Sequence, residues 1–357
     1  MNEARRPDVQ RSRARWRLFL GIVPPLFCAI AISAFAGKQV QPGTTAAPPQ
    51  AQEKPLTIRT EVPLVVLPVT VTDSRGKSID GLTTADFVVL DNGKLRQAQV
   101  DSSDALTSPI ALAAVLQTSE ISAAVLAKLR KVGGMIEEGV SGERGEAAVI
   151  GFSSEAKVLQ SFTSDPNKIE DAFQDLKGSG NTSGCMLDAL ELALNLLSER
   201  PRNPRREILL ISESRDRGSK AKLQDLVEHA QRLNVTIYSL SYSVYTTAFT
   251  TKPSDTQQSP AGTGYLGLIT EPGRLAKTNT VEALTAATGG RHLTFTRQAG
   301  LEEDILKVSK EIHSRYLVSF TPPHETTGSF HKLEVQIKDR PDAVVRTRPG
   351  YWAAGAN

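Results

Sequence analysis

Cysteine is scarce in this chain, with two in 357 residues. That excludes a disulfide framework and any four-thiolate zinc site. The five histidines form no His-Glu-x-x-His pair, so the common helical zinc-hydrolase motif is absent. No Gly-x-Ser-x-Gly elbow occurs, because Gly151-Phe-Ser-Ser-Glu155 lacks its second glycine. No lysine follows Gly184 at the end of the glycine-rich stretch 178–184, which excludes a Walker loop. Charge of one sign is not in large excess either, 42 Lys+Arg standing against 39 Asp+Glu. The basic run 200–206 contains no aromatic residue, so it reads as a solvated loop and no nucleic-acid partner is expected. An apolar fraction of 39% and a mean hydropathy of −0.23 exclude a polytopic membrane protein.

One long hydrophobic run is present, Leu18 to Ala36, preceded by Arg5, Arg6, Arg11, Arg13, Arg15 and Arg17. It closes on Ala34-Phe35-Ala36, the small-x-small pattern of a signal-peptidase site. Residues 1–36 therefore read as a secretory signal peptide or, if uncleaved, a membrane anchor of spanning length. Either reading places the rest of the chain outside the cytoplasm, periplasmic or extracellular. In the second, residues 18–36 tether it to the inner membrane, and that is its only expected membrane contact. Residues 1–36 hold six of the bases and two of the acids, so their removal changes a net charge of +3 to −1 and leaves Cys185 as the one thiol.

Residues 37–56 are rich in Gln, Pro, Ala and Thr, too polar to bury a core, and read as a disordered linker. From 57 to 104 the pattern is β, with Val62–Val71 as a strand, Asp91-Asn-Gly93 as a hairpin turn and one helical turn capped by Thr83 or Thr84. From 105 to 314 buried strands alternate with amphipathic helices. The strands fall at 110–116, 147–152, 208–211 and 235–240, and the helices at about 122–138, 165–176, 185–197, 219–233 and 301–313. This order specifies an α/β fold with a doubly wound, mostly parallel sheet. The stretch 244–280 breaks the rhythm and reads as a mobile insertion. Residues 315–357 form a C-terminal β segment whose strands are expected to pair with the N-terminal module.

In an open parallel sheet, ligands meet the loops at the carboxyl ends of the strands. Three such loops are expected here: Gln117-Thr-Ser-Glu-Ile-Ser122, the loop before Cys185, and Ser212-Glu-Ser-Arg-Asp216. Their hydroxyls and carboxylates are groups that hard cations favour. The order of elements and these loops resemble a von Willebrand factor type A domain. The flanks VPLVVLPVTVTDSRGKSIDGLTTADFVVLDNGK and RYLVSFTP…GSFHKLEVQIKDRPDAVVRTRPGYWA resemble those of exported type-A-related proteins common in Acidobacteria.

The resemblance implies a metal-ion-dependent adhesion site built from Asp-x-Ser-x-Ser, a Thr of the second loop and an Asp of the third. In this sequence Gln117 stands for the first Asp, Ser119 is retained, and Ile121 replaces the second Ser. Thr182 and Ser183 lie near the Thr position, which alignment from Asp188 gives to Gly184, and Glu213 replaces the last Asp. Ser119, Thr182 and Glu213 are thus the candidate metal ligands. Loss of a charge and of an oxygen ligand predicts that Mg²⁺ binds weakly or not at all. The function this implies is non-catalytic, adhesion-type binding of a protein partner through Gln117, Ser119, Thr182, Ser183, Glu213 and Asp216. An exported hydrolase or small-ligand enzyme on the same sheet, and a structural envelope component, are the alternatives.

Overall fold

The computed structural model describes residues 64–101, 108–142, 144–201, 205–242, 280–323 and 328–353, all within the compact unit Thr60–Asn357. The segments 1–36 and 37–56, and the insertion 244–280 save Thr280, lie outside the described residues. Among the described residues, no helix is long and apolar enough to cross a membrane.

The N-terminal β module supplies β1 (Val65–Thr72), β2 (Phe87–Asp91), β3 (Lys94–Arg96) and β4 (Gln99–Asp101). Asn92 and Gly93, at φ of 50° and 77°, form the two-residue turn between β2 and β3. Both positions are left-handed, which suits the twist of a tight hairpin and explains the Asn-Gly pair. Ahead of β2, Thr83 caps a short 3₁₀ turn. The Asp86 carboxylate accepts from the Thr83 backbone N–H at 2.7 Å and from its hydroxyl at 2.8 Å.

The central sheet contains β5 (Ile110–Gln117), β6 (Glu146–Phe152), β7 (Ala156–Thr163), β8 (Arg205–Ser212), β9 (Val235–Tyr242) and β10 (His292–Phe295). Their order across the sheet is β10-β9-β8-β5-β6-β7, all parallel except the edge strand β7. Every residue of β5 is buried. Ile110, Leu112, Ala114 and Leu116 face one apolar cluster, while Ala111, Ala113 and Val115 face the other. A continuous apolar run is what a strand covered on both faces requires.

Helices α1 (Ala123–Leu129), α2 (Gly133–Ile136), α3 (Pro166–Gln174) and α7 (Gln298–His313) cover the first face. Helices α4 (Met186–Ser198), α5 (Leu223–Arg232) and α6 (Thr280–Thr288) cover the second. The single helix expected over 122–138 is broken into α1, α2 and a π turn at Glu137–Ser141. Gly133, which opens α2, sits at a tight contact. A Cβ on Gly133 would lie 2.9 Å from the Phe173 Cβ, so α2 approaches α3 too closely for any side chain there.

The C-terminal segment adds β11 (Tyr316–Phe320), β12 (Phe330–Ile337), β13 (Val344–Arg346) and β14 (Gly350–Trp352). β11 and β13 flank β1, and β12 pairs with β2, giving the four-stranded sheets β13-β1-β11-β4 and β14-β12-β2-β3. Both sheets contribute to one apolar cluster, with Leu67, Val69, Val89, Val318 and Leu333 among its members. Neither end of the chain holds enough strands to enclose that cluster alone, so the N-terminal module folds on its C-terminal partner.

Candidate functional site

β5 and β8 run side by side and in parallel, so the loops that follow them leave the sheet at the same edge. β5 ends on Gln117, whose side chain is buried 2% exposed beside a wholly buried Ser119. The Gln117 Nε2 donates to the Ser119 Oγ at 2.9 Å, and its Oε1 accepts from the Glu213 backbone N–H at 2.8 Å. A single amide therefore ties the first loop to the third. On its other side lies Gly184, where a Cβ would come within 3.1 Å of the Gln117 Nε2.

Backbone bonds complete the assembly. The Glu120 N–H donates to the Asn181 carbonyl at 2.7 Å, and the Ser179 N–H to the Thr118 carbonyl at 2.9 Å. Gly184 and Arg217 exchange N–H donors at 3.1 and 2.9 Å, joining the second loop to the third. Asn181 Nδ2 reaches Ser154 Oγ at 3.0 Å, in the turn between β6 and β7.

Two residues that sequence reasoning missed buttress the loops. The Tyr242 hydroxyl, at the end of β9, donates to the Ser122 Oγ at 2.7 Å, and Ser122 lies 3.4 Å from Ser119 Oγ. Burial pushes the Tyr242 phenol well above its ordinary value, so it remains a donor. Ser219 is the other missed residue. Its Oγ accepts from the backbone N–H groups of Leu187 and Asp188 at 3.0 and 3.2 Å, at the start of α4.

The six expected site residues divide. Gln117, Ser119 and Glu213 are brought together, but Gln117 and Ser119 are buried and shape the loops without facing solvent. The Glu213 carboxylate turns to Arg217, 3.7 Å away. Thr182 is exposed and Ser183 half-buried. Asp216 accepts from the Leu187 N–H at 3.1 Å and the Ser219 hydroxyl at 2.5 Å, so it caps α4. Replacing Asp216 by alanine is expected to cost about 1 kcal/mol, the usual worth of a cap. Urea denaturation of the variant measures it, and an unchanged midpoint contradicts the capping role.

The donor set does not fit Mg²⁺. The Gln117 amide presents N–H groups to the oxygen of Ser119, where a cation needs lone pairs. Among the described residues, no three His, Cys, Asp or Glu side chains are grouped to hold a metal. Cys185, beside the site, is buried, and that burial, with the Asp188 carboxylate adding to it, pushes its thiol up and away from a reactive thiolate.

Residues 100–216 match the von Willebrand factor type A domain. The match spans β4 to the third loop and so contains the Gln117–Ser119–Glu213 junction. No curated protein sequence matches the chain. Among solved structures, it is similar to a von Willebrand factor type A protein from Catenulispora acidiphila, at 10% identity and a TM-score of 0.44, over 84% of this chain and 76% of that one. It is also similar to the vWF domain of the type V pili tip protein Mfa5 from Porphyromonas gingivalis, at 11% identity and a TM-score of 0.42, over 57% of this chain and 95% of that one. The PilB minor pilin from Streptococcus sanguinis gives 12% identity and a TM-score of 0.40, over 58% and 62% of the two chains.

Proposed function

We propose that this chain is an exported, non-catalytic, adhesion-type protein that binds a protein partner through the loops at the carboxyl edge of its type A-like sheet, without a cation. The observation that carries the reading is the cross-linking of three loops around the Gln117 amide. A loop surface fixed in this way binds without an ordering cost. Thr182, Ser183 and the outer face of the third loop then make the contacts, and Gln117, Ser119 and Glu213 hold them in place. Export rests on the basic and apolar run of residues 1–36. Kinship with the exported type-A-related proteins common in Acidobacteria rests on the flanking β sequences.

A photo-crosslinking residue at Thr182 of the full chain tests this. The expected result is a protein adduct that persists in chelator, with no such adduct from the same residue at exposed Lys338, just after β12. An adduct confined to Lys338 favours a structural envelope component. Loss of the Thr182 adduct in chelator overturns the cation-free reading.

A further inference from the structure

β7 ends the central sheet, and among the described residues no strand pairs with its outer side. Its register with β6 passes over Leu159: Val158 pairs with Ile150, and Gln160 with Val149. Leu159 therefore lies on the α3 side with Gln160, over Gly151, where an added Cβ would come within 2.9 Å of the Leu159 Cδ1. An edge is commonly protected by a bulge that twists it away or by outward charge. This bulge instead leaves a leucine 44% exposed in an open groove. Only Ser164 and Asp165 separate β7 from α3, so the helix doubles back along the strand. It lines the groove with Lys168, Asp171, Ala172 and Asp175, spaced i, i+3, i+4 and i+7 along one face. The other acids here are engaged: Asp165 caps α3, Glu170 accepts from Gln174 at 2.9 Å, and Glu155 pairs with Lys157.

We propose that β7 is a dimerisation edge: a second copy of this chain pairs with it antiparallel across a two-fold axis, joining two central sheets into one. The proposal goes beyond the loop-face reading and uses another edge of the sheet. A two-fold contact sets one surface against itself, reversed. The axis passes through the middle of the groove, between Leu159 and Gln160 on the strand and between Asp171 and Ala172 on the helix. Lys168 of one protomer then falls opposite Asp175 of its partner, and the exchange occurs twice. Leu159 and Ala172 of the two protomers meet at the centre, which buries the exposed leucine. The helix spacing fits as well. α3 packs over both β6 and β7. Strands about 4.8 Å apart therefore set the two α3 helices roughly 10 Å apart, the distance at which helices pack. The two Asp171 carboxylates come near the axis, a like-charge cost that keeps the dimer weak. The partner's strands run the opposite way, so the dimer presents its two loop faces at opposite ends.

Light scattering of the full chain in mild detergent, which masks the run 18–36, measures the association. The expected result is a protein mass that rises with concentration from 38.5 kDa toward twice that value. Leu159→Lys sets two charges at the axis and is expected to weaken the dimer at least about tenfold. Leu95→Lys, on the edge strand β3 and 71% exposed, is expected to dimerise like wild type. Lys168 and Asp175 are exposed, so exchanging them tests the contact without disturbing the core. Lys168→Asp is expected to weaken the dimer about tenfold, the loss of two exposed pairs. Lys168→Asp with Asp175→Lys is expected to restore it, and Asp171→Asn to tighten it. A chain that is monomeric at every concentration, Leu95→Lys acting as strongly as Leu159→Lys, or an exchanged pair that fails to restore the dimer overturns the proposal.

Discussion

Replacing Glu207 by alanine is expected to destabilise the protein by roughly 3–5 kcal/mol, the effect of breaking a buried ion pair from one side. Glu207 lies in β8 and Arg315 immediately before β11, and their side chains, 2% and 1% exposed, form a direct ion pair. Arg315 also donates to the Thr236 hydroxyl at 3.2 Å and lies over the Tyr238 ring. Without Glu207, the guanidinium is left buried with no carboxylate in direct contact, close to the half-buried Arg205, and only Glu311 offsets its charge. Burial pushes the Glu207 carboxyl up against the pull of Arg315 and Arg205, while Arg315, in spite of its own burial, is held charged by Glu207, so desolvation and pairing are both large here. It follows that Glu207→Leu with Arg315→Met, which removes both charges and keeps the volume, recovers most of the loss. Urea denaturation of the single and double variants decides it. If the double variant is as unstable as the single, shape and not charge holds the junction.

That pair anchors the C-terminal β segment to the α/β domain. Glu311 of α7 extends the anchor, pairing with Arg291 at 3.0 Å and directly with Arg346 of β13. Arg348 donates to the carbonyls of Gln231 and Val66 at 3.0 and 3.1 Å, linking α5 to β1. Hydrogen bonds to backbone carbonyls do not depend on a matching charge in sequence, so no pattern in the chain announced this contact. Pairing of the two β segments was legible, because each shows alternating burial and neither suffices alone.

Legibility followed the strength of periodic signals. The α5 spacing of Leu226, Val227 and Ala230 and the apolar run of β5 each leave one solution. The elements missed from sequence have weak patterns for identifiable reasons. β7 is an edge strand with Lys157, Val158 and Leu159 all exposed, so it shows no alternation. α6 is mostly buried and, apart from Glu282, made of Val, Ala, Leu and Thr, so it lacks a strong polar face, and β10 is four residues long. At the site, the loops were legible because they follow buried strands. The contact of Tyr242 with Ser122 was not, since 120 positions separate them and only the fold brings them together.

The role of Gln117 was the least visible of all, because an amide in place of an Asp reads in sequence as a lost ligand. In the structure it is a gained cross-link. Gln117→Leu keeps the volume but leaves the buried Glu213 N–H without its acceptor and the Ser119 hydroxyl without its donor. The orphaned Glu213 N–H costs about 1–3 kcal/mol, since Ser119 keeps the Ser122 hydroxyl 3.4 Å away. If the amide does the work of a cation, wild-type melting temperature is unchanged by Mg²⁺ or by chelator, since a ligand stabilises only the state it binds. Gly184→Thr supplies an independent check. Its side chain would collide with the amide in wild type, where the Cβ alone lies 3.1 Å from Nε2, and would be better tolerated with Gln117→Ala. Coupling of at least about 0.5 kcal/mol between the two substitutions is expected for residues in contact. A Mg²⁺-dependent rise in melting temperature, with strictly additive substitutions, would show that the amide moves aside and that the cation site is intact after all.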